Sequence, residues 1–208
     1  MKNLTSEQFR QNETLSTIDE RHSTRFFSNK EVSDKDIMLL LNAANKAPSA
    51  HNQQSWKFIV IKGQKKKDLA NLISSRATDF PRTSAVLLRM AARSISSAPV
   101  IIAVANTGEL IEHGRHLFQI TEKESDLFFR TMEIQSSSAA VQNLLLSATS
   151  LGLGTVWLGV MYLIKDQILE LLEEPKGEFM AIIPIGYPEK PGSSPKKRSL
   201  ELILKQFD

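Results

Sequence analysis

The chain has 208 residues, 41% hydrophobic and 24% charged, with a formal net charge of +3 and no cysteine. That balance is ordinary for a globular protein able to bury a core, and it excludes disulfides, thiolate catalysis and zinc sites built on cysteine. The small positive excess suits an anionic small molecule as well as nucleic acid. The polar stretch from Met1 to Glu20 carries no signal-peptide pattern. No apolar run approaches the ~20 residues that span a bilayer, so a soluble, cytoplasmic protein is expected.

In chain order, Thr14 to Glu20 reads as a short helix delivering the chain to Arg21. Ser33, with Asp36 three residues on, is a helix-start signal. Ile37, Leu40, Leu41 and Ala44 follow as an apolar helical stripe that Pro48 ends. Trp56 to Ile61 is a strand closed by Gly63. Gln64 to Ser75 is a basic-faced helix, and residues 76–97 read as helical with a break near Pro81. Pro99 to Ala105, almost entirely apolar, has the pattern of a strand buried on both faces.

Residues 106–124 are polar and predict a loop or short lid. Asp126 to Leu151 predicts one long helix with small residues at Ser136–Ala140 and a glycine cap at Gly152. Thr155 to Val160 predicts a strand, Ile164 to Leu172 a helix and Phe179 to Gly186 a strand. Residues 190–195 form a linker by composition, followed by Lys196-Lys197-Arg198 and an apolar tail, Leu200 to Phe207, that calls for a surface to pack on. A second subunit is the candidate. The alternation argues for a single domain over 1–208, a three-layer sandwich of the α+β or α/β class.

Two clusters carry the candidate chemistry. Residues 21–25 read Arg-His-Ser-Thr-Arg. In an extended segment Arg21, Ser23 and Arg25 share a face, and guanidinium forks pair bidentately with phosphate oxygens. Taken alone, the run also reads as a solvated basic stretch. Residues 48–56 read Pro-Ser-Ala-His-Asn-Gln-Gln-Ser-Trp. Asn52, Gln53 and Gln54 offer three amides that each donate and accept, matching the edge of a uracil-like ring. The same residues also suit a plain helix-to-strand turn. His22 and His51 lie inside the clusters, as proton donors beside a ligand or as polar loop residues. His113 and His116 are three apart but lack the carboxylates of a metal site. Gly159 lets a ligand approach the backbone. Gln142 and Asn143 stand out on the long helix, facing a ligand or solvent. No Gly-x-Gly-x-x-Gly, P-loop or Gly-x-Ser-x-Gly pattern occurs.

The order of the pieces resembles the FMN-dependent nitroreductase family. The motifs are Arg-x-Ser-x-Arg-x-Phe at Arg21 to Phe27, Ala-x-x-Ala-Pro-Ser-x-x-Asn-x-Gln-x-Trp at Ala44 to Trp56, the run from Ala140 to Gly159, and Ile-Gly-Tyr-Pro at 185–188 with a basic-proline tail. The similarity runs from about Thr14 to the C-terminus. It implies an α+β, three-layer α/β/α sandwich with a mainly antiparallel central sheet. It also implies a homodimer with exchanged terminal segments and FMN at the interface, touched by both subunits.

Carried over residue by residue, Arg21 and Ser23 would hold the phosphate, with His22 beside them, and Arg25 the phosphate or the pyrimidine edge of the ring. Pro48, Ser49 and Asn52 match the second flavin motif, with Asn52 against the isoalloxazine. Leu158 and Gly159 match the backbone near the ring, and Lys196 and Arg198 a late basic pair at the phosphate. The chain departs from the family at Ser55, where proline is usual, and in its sparse middle section.

The activity implied is NAD(P)H-driven, ping-pong reduction of a small aromatic acceptor, a nitroaromatic or quinone. The flavin carries the chemistry, so no catalytic side chain and no metal are expected. Other flavin chemistry on the same scaffold (a dehydrogenase, dehalogenase or flavin-fragmenting enzyme) is the alternative. A basic module binding nucleic acid is a third reading, and the dispersal of the basic residues argues against it. Neither nucleic acid nor membrane is expected as a partner.

Overall fold

The computed structural model describes residues 5–117 and 121–207. A short helix, α1 (Ser6–Phe9), precedes α2 (Glu13–Glu20). Asn12 caps α2, its side-chain oxygen accepting from the Leu15 N–H at 3.0 Å. Ser33 caps α3 (Asp34–Asn45), accepting from the Asp36 N–H at 3.0 Å as its spacing predicts. Then come β1 (Trp56–Ile61), α4 (Gly63–Arg76), α5 (Arg82–Ser97) and β2 (Val100–Asn106). They are followed by α6 (Glu109–Leu117), α7 (Glu122–Ser150), β3 (Gly154–Thr155), α8 (Lys165–Leu171) and β4 (Glu178–Gly186). A 3₁₀ segment, Gly159–Ile164, joins β3 to α8.

The sheet order is β1-β2-β4-β3, with every neighbouring pair antiparallel. β2 explains the layering. All its residues are buried, and successive side chains alternate between faces. Ile101, Ala103 and Ala105 join Leu69, Ile73, Leu88, Ile95 and Ile168 in one core beneath α4, α5 and α8. Val100, Ile102 and Val104 join Leu40, Ala44, Val141 and Leu144 in a second core beneath α3 and α7. The result is the α+β three-layer sandwich, helices on both faces of an antiparallel sheet.

Three expectations are corrected. The polar stretch 106–124 is not a loop throughout, because it contains α6. Buried Leu110, Gly114 against the Phe129 ring, and an Arg115–Asp126 ion pair with two bonds of 2.7 and 2.9 Å dock that helix on α7. Residues 118–120 of the same stretch lie outside the described residues. α7 starts at Glu122 rather than Asp126, because Thr121 and Glu124 form a capping box. The strand expected over Thr155–Val160 is regular only at Gly154–Thr155. The chain stays beside β4 as far as Leu158, whose N–H donates to Ile182 O at 3.0 Å, and then turns into the 3₁₀ segment at Gly159. Gly152 ends α7 with φ +70°, a left-handed position that suits glycine.

Candidate functional site

The first cluster runs along the outer side of β3. Thr24 N–H donates to Thr155 O at 2.8 Å, and Ser23 forms a parallel bridge with Thr155. Thr24 is buried and points inward, which turns Ser23 and Arg25 outward together. The contact is close: a Cβ on Gly154 would lie 2.6 Å from Thr24 Oγ1. Arg21 follows α2 directly and is half-buried. The carboxylates nearest to it in sequence, Asp19 and Glu20, are taken by Arg10 at 2.7 and 3.7 Å. Among the described residues Arg21 and Arg25 have no ion-pair partner.

The segment after β4 closes this corner. Glu189 N–H donates to Phe26 O at 3.2 Å, and Ser194 Oγ donates to Arg21 O at 2.9 Å. Residues 22–26 with Glu189, Lys190 and Gly192 enclose a groove of about 230 Å³. His22 is fixed within it. Its Nδ1 lies 2.9 Å from Glu20 O and therefore carries the proton it donates there, while Gly192 packs on the other ring edge. Lys196 and Arg198 are exposed. They follow Ser194 by two and four residues, so Lys196 starts within about 7 Å of it.

The second cluster sits elsewhere. The Pro48–Ser55 loop enters β1 and leans on α7, where Ala50 N–H donates to Ser136 Oγ at 3.1 Å. Inside the loop Gln54 N–H donates to Ser49 Oγ at 3.1 Å, and Gln54 Nε2 donates to Asn52 O at 3.1 Å and to Asn52 Oδ1 at 3.2 Å. His51, Asn52 and Gln54 have φ of +53°, +53° and +51°. Three non-glycine residues in the left-handed region cost about 1–3 kcal/mol each and persist where surrounding structure holds them, commonly at functional sites. Pro48, His51 and Asn52 are exposed.

The two clusters do not meet within one chain. Ser23 lies beyond β3, next to the Gly186 end of β4, whereas the loop enters β1 opposite the Asn106 end of β2 and the Glu178 end of β4. These are diagonal corners of the sheet, separated by about 19 Å across the strands and about 20–24 Å along them at standard spacings. Leu158 and Gly159 follow β3 and belong to the half of the sheet carrying Arg21–Arg25. Leu158 is buried and Gly159 exposed, and a Cβ on Gly159 would meet no atom within 4 Å, which leaves its backbone open to a ligand.

Of the remaining candidates, Asn143 Nδ2 donates to Ala43 O at 3.2 Å and ties α7 to α3, while Gln142 and His113 are exposed. No group of three or more His, Asp or Glu suited to a metal ion occurs among the described residues. Residues missed from sequence include Thr24, which orients the basic segment, Ser136, which holds the loop, and Glu133, buried beneath it. Only Glu133 left a signal: an acid at a position of α7 that its buried neighbours Phe129, Ser136 and Ser137 mark as inward-facing.

Residues 18–187 match the Nitroreductase family. A protein of Archaeoglobus fulgidus carrying the name NADH dehydrogenase/NAD(P)H nitroreductase is 30% identical over 182 residues, 85% of this chain and 86% of its own length. A protein of the same name from Methanothermobacter thermautotrophicus is 31% identical, over 87% of this chain and 81% of its own. A nitroreductase structure from Desulfovibrio desulfuricans, solved in complex with FMN, superposes with a TM-score of 0.70 at 28% identity, covering 95% of this chain and 99% of that one.

Proposed function

Since the chain belongs to the nitroreductase family and is an oxidoreductase, we propose that it uses FMN to move electrons from NAD(P)H to a nitroaromatic or quinone-type acceptor, as a homodimer. The observation that carries this reading is the diagonal separation of the two clusters. Each corner of one chain holds half of a flavin site, and a second copy placed against it would bring the Pro48–Ser55 loop to the Arg21–Arg25 groove. The Desulfovibrio desulfuricans nitroreductase was solved with FMN. The residues here suit the same cofactor: two guanidiniums without an ion-pair partner among the described residues for a phosphate, an open glycine backbone in the same half of the sheet and an amide-rich loop for a flat polar ring.

In this reading Arg21 and Ser23 bind the phosphate, with Lys196 and Arg198 adding charge from the C-terminal side. His22 forms part of the groove wall, held there by the Nδ1–H it donates to Glu20 O. Arg25 places a fixed positive charge toward the pyrimidine edge, where it stabilises negative charge on the ring. Asn52 of the second copy orients the ring, and Leu158 and Gly159 line it with backbone. The bound flavin supplies the hydride and electron transfer itself. One pocket serves donor and acceptor in turn, which gives ping-pong kinetics.

The test is an absorption spectrum of the purified protein, before and after NADH and NADPH. A yellow protein bleached by either donor and recoloured by a quinone supports the reading. A colourless protein that takes up no added FMN overturns it.

A further inference from the structure

Beneath the Pro48–Ser55 loop lies a polar cluster that the proposed chemistry does not use. Glu133, on the inward face of α7, is 1% exposed. Its Oε1 accepts from the Leu110 N–H at 2.9 Å, at the first turn of α6. Its other oxygen, Oε2, is buried without a hydrogen-bond partner. The Ser55 hydroxyl, at the end of the loop, faces this carboxyl and also lacks a partner. One turn along α7, Ser137 donates to Asn106 Oδ1, leaving Asn106 Nδ2 unpaired. Thr107 N–H donates to Ser55 O at 3.2 Å, so the loop and the chain entering α6 are in direct contact.

We propose that Glu133 is a positioning residue: it holds the first turn of α6 and the Ser55 end of the loop in fixed relation on α7, and so sets the wall beside which the acceptor lies. The part concerning the acceptor rests on the reading that this loop faces the flavin. The part concerning α6 does not. The helix has two further anchors, Gly114 against Phe129 and the Arg115–Asp126 pair. Glu133 touches both: it accepts from the Leu110 N–H of the helix and its carboxyl faces Ser55 of the loop, beside the Thr107–Ser55 backbone bond.

The carboxyl is also set to respond to pH. Burial pushes it above the ordinary glutamate value, and the charge of Glu178 on β4 adds to the rise. The Leu110 N–H, which donates to Oε1, opposes it, as do the Gly108 N–H and the Ser55 hydroxyl, which face the carboxyl without closing a hydrogen bond to Oε2. The other charge nearby, Arg130 on α7, is engaged with Glu178. The docked arrangement therefore favours the neutral acid. As pH rises through the raised pKa, ionisation favours release of α6, where the carboxyl reaches water and its ordinary pKa.

The experiment compares the wild-type holoprotein with Glu133→Gln and Glu133→Ala by amide hydrogen exchange and by steady-state kinetics with 1,4-benzoquinone. Glu133→Ala leaves the Leu110 N–H buried without an acceptor. Exchange across α6 should then accelerate by about tenfold while β2 stays protected, and the quinone KM should rise by about threefold or more at unchanged flavin content. Glu133→Gln keeps an acceptor oxygen and should retain wild-type protection and KM. It should also abolish the loosening of α6 that the wild type shows as pH rises above the ordinary glutamate range, after correction for intrinsic exchange. Wild-type exchange and KM in Glu133→Ala would overturn the assignment, as would a Glu133→Gln protein loosened as much as the alanine variant. If the alanine variant does not fold, the pH comparison of wild type with Glu133→Gln decides, and an α6 insensitive to pH in both overturns the proposal. A wild-type protein without flavin would defeat the redox reading while the exchange result still judges the hold on α6.

Discussion

Thr24 buries its side chain against Gly154 and thereby turns Ser23 and Arg25 toward solvent on one face. The glycine is required there by space. Gly154→Ala would drive a methyl into Thr24 and cost about 1–3 kcal/mol by overpacking, visible as a fall in Tm of about 2–10 °C. Combining it with Thr24→Ala should recover part of that loss. A Tm unchanged in the single variant would show that the strand relaxes freely. The arginines beside it make a different prediction. A charge-assisted hydrogen bond contributes about 1.5–3 kcal/mol, so Arg21→Ala with Arg25→Ala should weaken FMN binding by at least about a hundredfold, measured by fluorescence titration, with circular dichroism unchanged. A double variant that keeps its flavin would remove these residues from the phosphate site.

Among the elements, α6 shows how packing overrides composition. Its sequence is polar, yet Leu110 is fully buried and Gly114 lets the backbone sit on the Phe129 ring, where a Cβ would approach to 2.2 Å. Gly114→Ala should displace α6 from α7 and destabilise the protein by about 1–3 kcal/mol. Hydrogen exchange should increase in α6 and leave the centre of α7 protected. The Arg115–Asp126 pair shifts both groups toward their charged forms, each held there first by their hydrogen bond, but it is exposed and adds little stability of its own. α3, β1, α4, β2, α8 and β4 were legible to within a residue or two, because their caps and periodicities are local. α6 and the shortened β3 were not. Their form depends on Phe129 and on the turn at Gly159, far away in sequence or set by the neighbouring strand.

On the scale of the whole molecule, one chain presents its two polar clusters at opposite corners of its sheet and leaves apolar surface uncovered. Met38 and Leu39 on α3, Leu127 on α7, and Leu202, Ile203 and Phe207 in the tail are all exposed. Val86, Leu87 and Met90 on α5 are exposed as well, so the uncovered apolar surface is spread over both helical layers and the terminal segment, and such surface suits contact with another protein. The proposed second copy predicts that truncation after Arg198 weakens self-association by at least about tenfold, read as a shift from dimer to monomer in light scattering, with loss of flavin in step. A truncated chain that remains a flavin-loaded dimer would assign the tail another role. No helix among the described residues is long and apolar enough to cross a membrane.

The amino-acid sequence alone determined the chemistry on offer. Hydrogen-bonding and charged groups at Arg21–Arg25, Pro48–Asn52, Gly159 and Lys196–Arg198 are properties of residue type and order, as are the caps and alternations that make each helix and strand. It also carried the family, through four motifs in a fixed order. Only the tertiary structure decided where those groups stand. Strand order β1-β2-β4-β3 is a choice among pairings of distant segments, and that choice sends the two clusters to opposite corners instead of into one cradle. The same long-range packing buries Glu133 between α6 and the loop. An acid on the inward-facing side of α7 marks Glu133, but what it meets there, like the order of the strands, is set by contacts between segments tens of residues apart.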